Sequence, residues 1–88
     1  MPQKRGVVED PKFTAEFKAI SIKHPRAAEF LEGVRFILQR DPSAGYKWGD
    51  IWCLSSVGWA SGLPLMTVFY VFDDESVRLL SVIETALM

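Results

Sequence analysis

Eight consecutive residues, Leu65 to Phe72, read LMTVFYVF, and only Thr67 and the Tyr70 hydroxyl interrupt their apolar character. A half-buried strand alternates apolar and polar positions. A run that is apolar on both sides and rich in β-branched and aromatic residues is expected of a central strand. It is too short to span a bilayer. The rest of an 88-residue chain must therefore supply both the neighbouring strands and a covering layer.

The flanking sequence offers both. After Phe72, the polar break from Asp73 to Ser76 suits a hairpin turn, and SVRLLSVIET follows as a last strand. Simple alternation puts Val77, Leu79, Ser81 and Ile83 on one side, with Arg78, Leu80, Val82 and Glu84 on the other. Upstream, DIWCLSSV from Asp50 reads as another strand, with Ile51 and Cys53 on one face and Trp52 and Leu54 on the other. GWASGLP and DPSAGYKWGD read as loops by composition. The short GVV at Gly6 to Val8 is a candidate edge strand.

The N-terminal half has a different period. Phe13, Phe17 and Ile20 form one helical stripe. Asp10 is placed to cap that helix, Pro11 to open it and His24, just before Pro25, to close it. Ala27, Phe30, Leu31, Val34, Ile37 and Leu38 form the stripe of a second helix, ended by Asp41-Pro42. Helices first and strands afterwards predict an α+β fold. Two N-terminal helices, a helical hairpin, pack on a three- to four-stranded antiparallel sheet in a single domain, 1–88. The second sheet face would still carry large apolar groups, which calls for something to cover it.

Composition removes several functions. Ten basic residues stand against eleven acids, a net charge of −1, whereas strong non-specific nucleic-acid binding needs many cations to neutralise phosphates. One cysteine and one histidine rule out a structural zinc site, and no cofactor motif is present. The N-terminus has charge but no apolar core of a signal peptide, so a soluble, cytoplasmic protein is expected.

The helix pair, the segment LQRDPSAG and the segment TVFYVFDDESVRLLSVI together make the chain resemble the RelE/ParE superfamily of bacterial type II toxins. The likeness covers nearly the whole length and rests on order and spacing: a helix-ending D-P-x-x-G before the sheet, an aromatic-rich strand, an acidic turn and a final strand. It implies a toxin of a plasmid-stabilisation system, held inactive by a cognate antitoxin. RelE-like members cleave messenger RNA on the ribosome with basic and aromatic side chains, and ParE-like members inhibit DNA gyrase. The lysines and arginines that RelE-like nucleases place on the sheet are missing from Asp50 to Ser56, from Leu65 to Thr67 and after Ile83. Cleavage of a phosphodiester needs a base and cations around the scissile phosphate. The resemblance therefore points to the ParE-like or a non-nucleolytic branch acting by protein binding.

A divergent ribosome-dependent ribonuclease would have to use Arg78, Lys47 and Tyr70. An inactive relic or a homodimeric interaction module is the remaining alternative. For partner binding the candidates are Trp48, Trp52, Trp59 and Arg78, because tryptophan and arginine are enriched among interface anchors. Each has a plainer reading: a strand arginine paired to Asp73, Asp74 or Glu84, a solvated loop lysine, a core tryptophan. His24 reads as a helix-end residue, Cys53 as a small core residue and Asp73-Asp74-Glu75 as a solubilising turn.

Overall fold

A computed structural model describes residues 5–55 and 65–85. Trp59 and the GWASGLP segment lie outside the described residues. Strand β1 (Gly6–Glu9) leads into helices α1 (Pro11–Lys23) and α2 (Ala27–Arg40). A 3-10 turn (Pro42–Ala44) follows, then β2 (Tyr46–Trp48), β3 (Ile51–Ser55), β4 (Leu65–Phe72) and β5 (Ser76–Thr85).

The helices begin and end where the sequence marks them. The Asp10 side chain accepts the Lys12 N–H at 3.0 Å, Pro11 occupies the first turn, and the His24 N–H closes α1 on the Ile20 carbonyl. Phe13 and Ile20 of α1 and Ala27, Phe30, Val34 and Leu38 of α2 are buried. These side chains meet Met66, Val68 and Tyr70 of β4 and Val77, Leu79 and Val82 of β5 in one core.

The sheet is larger than expected and not purely antiparallel. It has five strands in the order β1-β5-β4-β3-β2, with β1 parallel to β5 and the other pairs antiparallel. Both corrections have local causes. The segment read as loop contains β2, because Gly49-Asp50 forms a two-residue hairpin turn: Gly49 takes φ +64°, which a glycine adopts at no steric cost. The GVV segment becomes β1, and the helix pair lets the chain leave β1 and return elsewhere in the sheet, with β5 lying parallel beside it.

A third correction concerns β5. Tyr70 pairs with Leu79 but Phe69 pairs with Ser81, so Leu80 is an extra residue in a β-bulge. The bulge resets the alternation, and Val82 rather than Ser81 joins Val77 and Leu79 on the core side.

Candidate interaction surface

The two faces of the sheet differ. One packs on the helices. On it, Trp52 stands opposite Tyr70 and Leu54 opposite Val68, and both Trp52 and Leu54 pack against the core. The other face has no layer over it among the described elements. Its register places Val8 beside Arg78, Arg78 beside Val71, Phe69 beside Cys53, Cys53 beside Tyr46 and Trp48 beside Ile51. Val8, Tyr46, Trp48, Ile51 and Ile83 are all exposed there. A contiguous apolar surface of this kind is the usual mark of an interaction site.

The proposed catalytic trio is not gathered on that face. Tyr70 is completely buried on the core side. Its hydroxyl donates to the Pro42 carbonyl at 2.6 Å and accepts the Gly45 N–H at 3.3 Å. Burial pushes its pKa up, against the Gly45 hydrogen bond. Lys47 lies on edge strand β2 opposite Trp52, hence on the helix side, whereas Arg78 belongs to the outer face of β5. Three inter-strand steps separate β2 from β5, roughly 14 Å.

The tryptophans divide as well. Trp52 is half-buried, with its ring 5.3 Å from Phe72 and 6.4 Å from Tyr70, so it belongs to the core. Trp48 is 72% exposed on the outer face. Arg78 is exposed, and none of the suggested acids pairs with it. Asp73 spends its carboxylate on the Glu75 and Ser76 N–H groups, at 2.8 Å each, which holds its pKa below the ordinary aspartate value. Glu84 faces α1, where it meets His24 Nε2 at 2.5 Å and Lys23 Nζ at 3.9 Å. His24 thus serves at the end of the helix. Cys53 is buried, and its thiol pKa is raised by that burial.

The D-P-x-x-G segment also has a definite role. Asp41 caps the 3-10 turn through Ser43, and the Pro42 carbonyl and Gly45 N–H clasp the Tyr70 hydroxyl. A Cβ on Gly45 would stand 2.1 Å from the Cys53 carbonyl oxygen, so only glycine fits. Sequence reasoning missed this clasp, and it missed the aromatic edge hairpin that carries Tyr46 and Trp48. The Gly-Asp dipeptide between YKW and IWC was the signal for that hairpin.

Fold and surface together define an α+β protein with two helices on one face of a mixed sheet and an apolar opposite face. Comparison with protein-family models, with curated proteins and with solved structures finds no match. Among the described residues, no helix is long and apolar enough to cross a membrane, and no group of three or more metal-ligating side chains stands together.

Proposed function

We propose that the chain is the toxin of a bacterial type II toxin–antitoxin pair, of the RelE/ParE kind, and that it acts by binding a protein rather than by cutting RNA. One observation carries the binding part of this reading: the sheet face that no described element covers exposes Val8, Tyr46, Trp48, Ile51 and Ile83, with Arg78 as its charged group among the described residues. A nuclease face would need several cations around a phosphate. The ribonuclease alternative is weakened by Tyr70, whose hydroxyl is already committed to Pro42 and Gly45. The toxin part rests on the sequence resemblance, with which a helix pair ahead of a meander agrees. The antitoxin would cover the apolar face by laying a helix or an extended segment across it, and gyrase or the ribosome would be the cellular target.

Expression of the chain alone in bacteria tests the reading. Growth should stop, with altered plasmid supercoiling or halted translation and intact messenger RNA in the ribosomal A site. Healthy growth with normal DNA topology and translation would overturn it, and A-site cleavage would replace it with the ribonuclease.

A further inference from the structure

Five arginines lie among the described residues, and four of them are engaged. Arg26 pairs with Glu29 and Arg35 with Glu9. Arg5 donates to the Asp73 carbonyl and lies over the Phe72 ring, and Arg40 covers the Phe36 ring. Arg78 makes no such contact, and it stands between Val8 of β1 and Val71 of β4 in the register of the outer face. Beside it opens a cleft of about 190 Å³, completed by Val71, Phe72, Asp73 and Ser76.

A guanidinium flanked by apolar side chains holds an anion more firmly once a partner excludes water, because the charge is then less screened. Three kinds of anion could come. A nucleic acid gains affinity with each phosphate neutralised, and here one free arginine sits next to the acidic turn Asp73-Asp74-Glu75, which repels a polyanion. A second copy of the chain brings an Arg78 of its own and no carboxylate among the described outer-face positions of its strands, so its acids could reach Arg78 only from the turn at the strand end. What complements an apolar face with one unpaired arginine is an apolar segment with one acid.

We propose that the outer face docks a peptide segment of a partner protein, which lays apolar side chains over Val8, Val71 and Ile83 and sets one carboxylate on Arg78. This rests on the protein-binding reading above and adds the partner's chemistry to it. The carboxylate can be held by two parallel N–H donors of the guanidinium, a geometry lysine does not reproduce.

A random peptide library displayed on phage and selected on the full chain tests the docking. Wild type should enrich peptides with one Asp or Glu among apolar residues. A resynthesised glutamate peptide should bind about tenfold or more tightly than its glutamine counterpart. Arg78→Gln should select without preference for acids, and Arg78→Glu should turn the preference to basic residues. Circular dichroism melts confirm that the variants fold; if one does not, the glutamate-to-glutamine change measured on wild type decides alone. Selection without acidic enrichment, or the same enrichment on Arg78→Gln, overturns the proposal. So does Arg78-dependent binding of a labelled single-stranded oligonucleotide in preference to the peptides, or self-association of the chain in the ultracentrifuge that masks the face. Acidic selection in a chain that leaves bacteria growing normally would instead remove the toxin reading and keep the docking.

Discussion

Tyr70, a residue type that could serve in catalysis, holds the fold instead. Its ring is core, and its hydroxyl joins the loop after α2 to the central strand through Pro42 and Gly45. Tyr70→Phe leaves that carbonyl and N–H without their partner and should cost about 1–3 kcal/mol, read as a Tm lower by about 4–8 °C per kcal/mol. Gly45→Ala should cost a similar amount through overpacking, about 1–3 kcal/mol. Combining the two should not restore stability, because the Cβ still meets the Cys53 carbonyl at 2.1 Å after the hydroxyl has gone. Denaturant midpoints of the three variants check this. The tryptophans separate in the same way. Trp48→Ser should change stability by less than about 0.5 kcal/mol, whereas Trp52→Ala, which empties space beside Tyr70 and Phe72, should cost about 2 kcal/mol or more. A tryptophan in an alternating segment can serve either face, and the pairing of β2 with β3 settles which one.

At the scale of the element, β5 is the strand with an exposed liability. It is ten residues long, yet β1 covers only Ser76 to Leu79. Beyond that point a helix side chain takes the place of a strand: Glu16 Oε1 accepts the Ser81 hydroxyl at 2.7 Å and the Val82 N–H at 3.3 Å. Unpaired edges recruit other chains. Glu16→Ala should therefore lower stability by about 1–2 kcal/mol and increase aggregation on heating, which light scattering during a melt will register. The β4–β5 turn has an electrostatic counterpart in Asp73. The Glu75 N–H first and the Ser76 N–H next favour its ionised form, so its folded pKa is depressed. A depressed carboxylate contributes stability above its unfolded pKa and loses it as pH falls through the folded value. Urea midpoints should accordingly drop on acidification through the carboxylate range, and Asp73→Asn should flatten that part of the profile. The acidic turn was legible as a turn from its composition, but which acid organises it depends on where the backbone N–H groups point.

For the whole molecule, charge balance and face asymmetry together set what it can bind. A net charge of −1, with Arg78 and Lys47 on opposite faces, predicts no measurable affinity for single-stranded RNA at physiological salt, a result fluorescence anisotropy can check. Much of the architecture is legible in the sequence. Prolines and caps bounded both helices, the 3.6-residue stripes chose their buried faces, and the doubly apolar run from Leu65 to Phe72 had to be a central strand, because these are local properties of a chain in water. The parallel placement of β1, the bulge at Leu80, the commitment of Tyr70 and the solitude of Arg78 were not readable in that way. Each depends on contacts between residues distant in sequence: β1 lies about seventy positions from β5, and Tyr70 twenty-eight from Pro42. Periodicity places a side chain on a face, but only the packed chain decides what already occupies the space in front of it.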